Sequence, residues 1–300
     1  MLRTARRGAE ALAGSADAAV KFLQGQIGSD GGFTGPRGTL PNAAGRAAGV
    51  CTSDLYYTVF GLEGLLALGV KPRPGCVENY LRQFGDGESL DFIHLCCLAR
   101  CRADLSEGVS AVEMRDAIAR HIEATRTPDG GYSHLGGARL GTAYGCFLAV
   151  AAYQDLGLDV PDPDAVAQCV ESLAGPDGGY VDSAMVAIAV TPTTAAALTV
   201  LQHLHRPADA AARSWLLDRC DTNGGFHVAA GGPLPDLLST ATALHALAGT
   251  GGAPLEIRPA CSEFVRGLQL PNGGFHATRP DRDCDCEYTY YALLALGHLS

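Results

Sequence analysis

The chain has 300 residues and a mass of 31.1 kDa, enough for one large domain or two small ones with a sizeable core. Apolar residues make up 47% of the sequence and charged residues 18%, which excludes an intrinsically disordered chain. The formal net charge of -10, from 22 Lys and Arg against 32 Asp and Glu, argues against a nucleic-acid-binding protein.

The cysteines and the apolar runs bear on the cellular compartment in which the protein is found. The 11 cysteines are odd in number and lack the paired spacing of a disulfide framework. No apolar segment follows Arg3, Arg6 and Arg7 as in a secretory signal, and the longest apolar runs, such as 185–190, are too short to cross a membrane. We therefore expect a cytoplasmic protein with reduced thiols.

A short phrase, Asp or Asn followed by Gly-Gly and an aromatic residue, recurs along the chain. Its five copies are Asp30–Phe33, Asp129–Tyr132, Asp177–Tyr180, Asn223–Phe226 and Asn272–Phe275. The copies lie about 48 residues apart, and a degenerate copy near Asp86–Glu88 fills the one double interval. The pattern predicts six repeat units that together form a single domain over residues 1–300.

Each unit has the same order of elements. An amphipathic helix such as Ala165–Leu173 comes first, and the Gly-Gly turn follows because glycine enters positive φ at little cost. A polar loop then leads to a nearly all-apolar helix such as Thr289–Leu296. A helix that is apolar on all sides must be buried, so the second helix of each unit is expected inside. No stretch has the alternation of a strand.

These units predict an all-α fold of six helical hairpins, or about twelve helices. Such hairpins can stack into an open solenoid or close into a ring. An open array needs polar caps at its ends, whereas the last unit ends on an apolar helix at Leu299. We therefore predict an α/α toroid, a closed barrel with a central apolar cavity.

The repeat resembles a known superfamily. The Gly-Gly-aromatic turn followed by Asp-x-x-x-Thr, as in Asp54–Thr58, Asp236–Thr240 and Asp285–Thr289, resembles the β subunits of protein prenyltransferases and the squalene and other class II terpene cyclases. Gln269-x-x-x-Gly273-x-Phe275 is similar to a cyclase signature that has Trp in place of Phe. The resemblance covers the whole chain. It implies an isoprenoid-handling protein with a central apolar cavity and chemistry at one mouth of the ring.

Aromatic residues early in the second helices are the candidates for binding the substrate. Aromatic faces can hold a hydrocarbon chain and stabilise a carbocation, although each residue could equally be part of the core. The candidates are Tyr56, Tyr57, Phe60, Phe92, Tyr144, Phe147, Tyr290 and Tyr291.

The zinc and diphosphate sites of the prenyltransferases are incomplete here. The resemblance implies Asp-x-Cys before the fifth inner helix and His before the sixth. Asp236 matches, but Leu238 replaces the Cys and Tyr288 replaces the His. Neither replacement is a good zinc ligand, so we favour no cofactor. For the diphosphate only His134, Arg139 and His227 remain as weak candidates.

A shifted zinc site is the remaining metal hypothesis. Asp and Cys are competent zinc ligands, and several occur before the sixth inner helix. The candidates are Asp236, Asp283, Cys284, Asp285, Cys286 and His276.

Carboxylates form the alternative to a metal. Asp54, Asp236 and Asp285 share one repeat position, and ring closure would bring units one, five and six together. Each precedes a helix, so N-capping is the competing interpretation. In the cyclases the middle residue of Asp-x-Asp-Asp donates the proton, and alignment on Thr289 places Glu287 there. The resemblance therefore implies Glu287 as the acid, a departure from the family's Asp.

We expect the neighbouring side chains to tune this acid. Asp285 and Asp236 would raise its pKa and orient it, because acids crowded beside an apolar cavity retain protons at neutral pH. Tyr288 would hydrogen-bond to it, although the cyclases have Asp at that position.

Three hypotheses about function follow. The first is proton-initiated, class II-like cyclisation or isomerisation of a prenyl chain. The second is a prenyltransferase β-subunit relative with an altered zinc site and an α-helical partner subunit. The third is a non-catalytic toroid that binds a lipid or another hydrophobic small molecule. Because the cyclases implied by the resemblance enclose their substrate with a second toroid, the first hypothesis carries the expectation of a homodimer or a partner chain.

Overall fold

The computed structural model describes residues 1–36, 53–105, 112–207 and 209–300. These ranges are mainly α-helical. The helices are α1 (Leu2–Leu12), α2 (Ala16–Gln24), α3 (Leu55–Ala67), α4 (Cys76–Arg82), α5 (Phe92–Asp104), α6 (Val112–Glu123), α7 (Ala143–Asp155), α8 (Pro163–Glu171), α9 (Thr191–His203), α10 (Ala210–Leu217), α11 (Leu237–Ala248), α12 (Arg258–Arg266) and α13 (Cys286–Leu299). The short strands are β1 (Phe33–Thr34), β2 (Ser53–Asp54), β3 (Phe226–His227), β4 (Pro235–Asp236), β5 (Phe275–His276) and β6 (Cys284–Asp285).

The helices form two concentric rings. The inner ring consists of α3, α5, α7, α9, α11 and α13, each packed against the next, and α13 packs against α3 to close it. The outer ring consists of α2, α4, α6, α8, α10 and α12, which pack against inner helices. Closure between the first and last units confirms the predicted α/α toroid.

Burial separates the two rings as the sequence pattern predicts. Inner helix α11 buries Leu and Ala on every side, whereas outer helix α12 buries only Cys261, Phe264 and Val265. An amphipathic stripe suits a helix with one face in water, and an all-apolar helix must be enclosed. In the described ranges, no helix combines the length and apolar character needed to cross a bilayer.

The Gly-Gly-aromatic turn is bonded to the start of the following inner helix. In the fifth unit Gly224 has φ of 86°, and a Cβ there would lie 2.1 Å from the Ala260 carbonyl oxygen. The Phe226 N–H donates to Oγ1 of Thr240 at 2.9 Å, and the Thr240 hydroxyl donates to the Asp236 carbonyl at 2.6 Å. Glycine is thus required for both conformation and space.

The same connection recurs around the ring. The aromatic N–H donates to a threonine in the first, fourth and sixth units, and in the third unit it donates to the Cys146 sulfur at 3.4 Å. The threonines of those units are Thr58, Thr194 and Thr289. The repeated bond explains why Asp-x-x-x-Thr accompanies the turn in sequence.

Three short antiparallel pairs, β1 with β2, β3 with β4 and β5 with β6, were not expected from the sequence. Each strand has two residues, which is too short to show alternating polarity. The second strand of each pair ends at Asp54, Asp236 or Asp285. The pairs therefore fix the backbone immediately before three inner helices.

Helix α1 precedes the first repeat and packs against α13 and α3. The contact with α13 is very close, since a Cβ at Gly8 would lie 1.8 Å from the Leu293 carbonyl oxygen and one at Gly297 would lie 1.9 Å from that of Thr4. Helix α1 thus covers the junction where the ring closes.

Candidate functional site

The inner ring encloses a cavity of about 470 Å³ with mainly apolar walls. At one end, here called the mouth, it is lined by Tyr56, Tyr144 and Glu287 from the first turns of inner helices. At the other end, here called the floor, it is lined by Arg100 and Asp155 from the last turns. The cavity therefore follows the barrel axis, which is the location the sequence predicts.

Most of the predicted aromatic residues line this cavity. They are Tyr56, Phe60, Tyr144, Phe147, Tyr290 and Tyr291. Three of them form a cluster near the mouth, with ring centroids 5.0 Å apart for Tyr56 and Phe60 and 5.4 Å apart for Phe60 and Tyr291. Edge-to-face and tilted rings at these distances give a rigid wall of π-electron density.

Two predicted aromatics are not among the residues that line the cavity. Phe92 is buried in the core at the start of α5. Tyr57 is half-buried, and its pKa is raised by burial and by the charges of Asp285, Glu287 and Asp54. Residues 56 and 57 are adjacent, so a helix directs their side chains to different faces.

Glu287 is an acidic side chain that lies among the aromatic residues of the cavity wall. It is in the first turn of α13, and the Tyr56 hydroxyl donates to its Oε1 at 2.6 Å. Burial raises the pKa of Glu287 to about 7, the Asp285 charge adds to this, and hydrogen bonds from Tyr56 and Tyr291 oppose it. A carboxyl with this pKa holds its proton about half the time at neutral pH.

The prediction that Tyr288 hydrogen-bonds to Glu287 is wrong. Tyr56 and Tyr291, rather than Tyr288, are its hydrogen-bond donors. Tyr288 follows Glu287 directly and therefore points to another side of α13, whereas Tyr291 lies one helical turn on and shares its face. The Tyr288 backbone N–H instead donates to Asp285 at 2.8 Å.

Asp54, Asp236 and Asp285 all cap inner helices, as the alternative interpretation proposes. Their carboxylates accept backbone N–H groups of Tyr56, Ser239 and Tyr288, respectively, at 2.8 Å. The structure does not place any of the three in the cavity wall.

The pKa values of these three acids do not all shift in the same direction. Burial raises the pKa of Asp285 to about 6 and also raises that of Asp236. Burial also acts to raise the pKa of Asp54, but the hydrogen bond and charge of His94 and the backbone N–H groups of Tyr56 and Tyr57 together outweigh it and lower the pKa. Of the three, Asp285 is the acid whose charge raises the pKa of Glu287. Asp285 thus fits its predicted tuning role better than Asp236 does.

The predicted diphosphate ligands do not assemble. Arg139 is exposed on a loop, and His227 is paired with Asp221, with Nε2 and Oδ2 3.1 Å apart. His134 does reach the mouth, where its ring centroid lies 5.6 Å from that of Tyr144. The described residues that line the mouth include no Lys or Arg.

The described residues also contain no group of three or more His, Cys, Asp or Glu side chains that could hold a metal ion. Cys286 is fully buried, Cys284 contacts Asn272, and Asp236 accepts both N–H and O–H of Ser239. Leu238, at the family's thiolate position, faces the cavity. The donor set therefore does not fit zinc at the family position or at the shifted one.

Sequence reasoning missed a cluster of charged side chains at the start of α3. His94 lies between two carboxylates, with Nε2 3.3 Å from Asp54 and Nδ1 2.6 Å from Asp91. The hydrogen bond to Asp54 and that to Asp91 raise the pKa of His94 to about 9. Asp91 is the N-cap of α5 and His94 lies in its first turn, a spacing of three residues that could have indicated their contact.

The architecture and the cavity together define a class of protein, the closed α/α toroids with an apolar centre. The sequence profile of the prenyltransferase alpha-alpha toroid domain family matches residues 88–190 and 188–300. The chain therefore belongs to the prenyltransferase alpha-alpha toroid family. No curated protein sequence matches it significantly.

Solved structures share the fold at low sequence identity. The type II terpene cyclase MstE from Scytonema, in complex with geranylgeranyl dihydroxybenzoate, is 16% identical with a TM-score of 0.62 over 97% of each chain. Candida albicans protein geranylgeranyltransferase-I, complexed with GGPP, is 15% identical with a TM-score of 0.58 over 80% of this chain and 82% of that one.

An alpha-1,6-mannanase of Salegentibacter is 11% identical with a TM-score of 0.63 over 95% of this chain and 98% of that one. The fold thus hosts unrelated chemistries, and function must be argued from the site.

Proposed function

We propose that the protein is an isoprenoid-handling enzyme that cyclises or isomerises a prenyl chain by proton-initiated, class II-like chemistry, with Glu287 as the acid. The observation that carries the proposal is the Glu287 carboxyl, which lies in an aromatic, apolar cavity wall and has a pKa of about 7. A Brønsted acid must hold its proton at working pH and meet its substrate away from water.

The reaction follows from the residues around this acid. Protonated Glu287 gives its proton to a carbon–carbon double bond, so the π bond breaks, a C–H bond forms and a carbocation remains. The Glu287 carboxylate is stabilised by the Tyr56 hydroxyl. The rings of Tyr56, Phe60 and Tyr291 attract the cation through their π faces. Another double bond attacks the cation to close a ring, and loss of a proton completes an overall isomerisation.

Two features support this chemistry over prenyl transfer. Two of the family's three zinc donors are replaced, by Leu238 and Tyr288, and the described residues lining the mouth include no Lys or Arg to hold a diphosphate. A single toroid is also of suitable size, because MstE, which is described as a type II terpene cyclase, is matched over 97% of its chain. The proposed chemistry therefore does not require the second toroid, homodimer or partner subunit that we expected from the sequence.

Product analysis tests the proposal. Purified protein is incubated with squalene and with linear prenyl alcohols and diphosphates, and products are identified by gas chromatography and mass spectrometry. We expect cyclised or isomerised products from wild type and a loss of about 100-fold or more in Glu287→Gln, because the amide cannot donate an acidic proton. Tyr288→Phe is the control and retains activity. Unchanged product formation in Glu287→Gln would eliminate Glu287 as the acid.

A further inference from the structure

The floor of the cavity is polar although the walls above it are apolar. Arg100, Asp155 and His245 all line it. They come from α5, α7 and α11, near the C-terminal ends of the inner helices. A ligand that was hydrocarbon throughout would gain nothing from these groups and would leave them without water.

The Arg100 guanidinium is already neutralised by a partner outside the cavity lining. Its Nε donates to Oε1 of Glu63 at 2.9 Å and its NH2 group donates to Oε2 at 2.7 Å. Glu63 is only 3% exposed, so this bidentate pair is part of the packed wall. Arg100 therefore does not offer a free positive charge to a diphosphate or carboxylate.

Asp155 is the floor residue with spare hydrogen-bonding capacity. Its carboxyl lines the cavity, and no hydrogen-bond partner for it is found among the described residues. Burial raises the pKa of Asp155 to about 6, while Arg100 opposes the shift, so the carboxylate form predominates at neutral pH. An ionised carboxylate can only accept hydrogen bonds.

His245 adds no positive charge to the floor. Burial, together with the charge of His298, lowers the pKa of His245 to about 3, so the ring is neutral at neutral pH. The two rings are joined by a hydrogen bond of 3.1 Å between Nδ1 of His245 and Nε2 of His298. Met1 also lines the cavity, and its amino group interacts electrostatically with Asp155. Burial and the charge of Arg100 lower the pKa of this amine, which favours its uncharged form. With the Arg100–Glu63 pair balanced, Asp155 is the carboxylate that faces the cavity at the floor.

We propose that the floor binds the terminal hydroxyl of an isoprenoid alcohol or phenol, whose O–H donates to Asp155. The orientation of the bound isoprenoid rests on the proposed function. If Glu287 at the mouth protonates the hydrocarbon end of the ligand, the hydroxyl end lies at the floor. The floor selects a neutral hydroxyl over a carboxylate or diphosphate, which would meet like charge. It also selects a hydroxyl over an ether, which cannot donate.

Equilibrium binding tests this selection without requiring turnover. The probes are geranylgeraniol, its methyl ether and geranylgeranoic acid, each titrated into the purified chain by calorimetry. We expect the alcohol to bind about tenfold more tightly than the ether, the effect of one hydrogen bond to a charged acceptor. The acid should bind more weakly than the alcohol.

Variants assign the preference to one side chain. Asp155→Leu should bind the alcohol and the ether equally. The isosteric Asp155→Asn, which can be used if the Leu variant fails to fold, should show a reduced preference for the alcohol over the ether. Asp104→Asn is the matched control, because Asp104 is a half-buried acid that interacts with Glu63, Arg100 and Asp155 but is not part of the cavity lining. It should retain the wild-type preference.

Any of three results would overturn the proposal. These are equal affinity of the wild type for the alcohol and the ether, an unchanged preference for the alcohol in both Asp155 variants, and no binding of any probe. These results are distinct from failure of the proposed function. Turnover that depends on Glu287 could persist without a hydroxyl preference, and a hydroxyl preference could persist in a protein with no turnover.

Discussion

Glu287 illustrates how the acidity of one side chain depends on residues distant in sequence. Its position in an Asp-x-Glu-Tyr-Thr segment made it recognisable as a candidate acid. Its main donor, Tyr56, belongs to the first unit, so the contact exists only because the ring closes. The sequence therefore predicts the acid but not its donors, since local spacing carries no information on contacts between chain ends.

The pH dependence of activity follows from the pKa of Glu287. The acid form is required, so the rate should be highest at low pH and fall as pH rises through about 7. Tyr56 donates to the carboxylate and holds this pKa down. In Tyr56→Phe the decline should therefore move to higher pH, measured from profiles of kcat/KM. Tyr144→Phe removes another hydroxyl from the cavity lining and should leave the midpoint unchanged, and an unshifted Tyr56→Phe profile would contradict this account.

Asp285 has two roles that one substitution can separate. It caps α13, and its charge raises the pKa of Glu287. Asn caps a helix as well as Asp does but carries no charge. In Asp285→Asn the decline in kcat/KM should move to lower pH while the melting temperature stays close to wild type. Asp285→Ala should also cost about 1 kcal/mol of stability. An Asn variant with the wild-type pH profile would show that Asp285 is only a cap.

At the scale of elements, the turn and the inner helix of each unit are joined by a buried threonine. The helices could be predicted from apolar periodicity, and the turn from its glycines. The paired strands could not, because two-residue strands have no alternation to detect. The sequence shows the threonine only as part of the Asp-x-x-x-Thr spacing. Its two hydrogen bonds, to the aromatic N–H and to the Asp carbonyl, form only in the folded turn.

Thr240 tests this connection. Thr240→Val keeps the shape but leaves the buried Phe226 N–H without its acceptor. We expect a loss of about 1–3 kcal/mol in the free energy of unfolding, measured by urea denaturation. Thr240→Ser retains the hydroxyl and serves as the control, with a smaller loss. A Val variant as stable as the Ser variant would show that the hydrogen bond contributes nothing.

At the scale of the molecule, closure of the ring makes the cavity and brings Tyr56 to Glu287. Closure could be predicted from the sequence, because the apolar last helix needs a partner on each side. It did not predict helix α1, which lies outside the repeats and packs on the closing pair. The charged floor was missed for a related reason: isolated residues such as Arg100 and Asp155 lack a motif.

The contact between α1 and α13 depends on two glycines. A Cβ at Gly297 would lie 1.9 Å from the Thr4 carbonyl oxygen, so Gly297→Ala must push α1 away from the ring. We expect a destabilisation of about 1–3 kcal/mol, seen as a lower melting temperature. Gly14→Ala is the control, since a Cβ there meets nothing within 4 Å. Equal melting temperatures for the two variants would contradict the close packing.

Turnover in deuterium oxide tests the proton donation by Glu287 most directly. The cyclised or isomerised product of the wild-type enzyme should contain one deuterium at the carbon that receives the proton, detected by mass spectrometry, and Glu287→Gln should form no such product. A product free of deuterium, or deuterium incorporated at the wild-type rate by Glu287→Gln, would contradict the account.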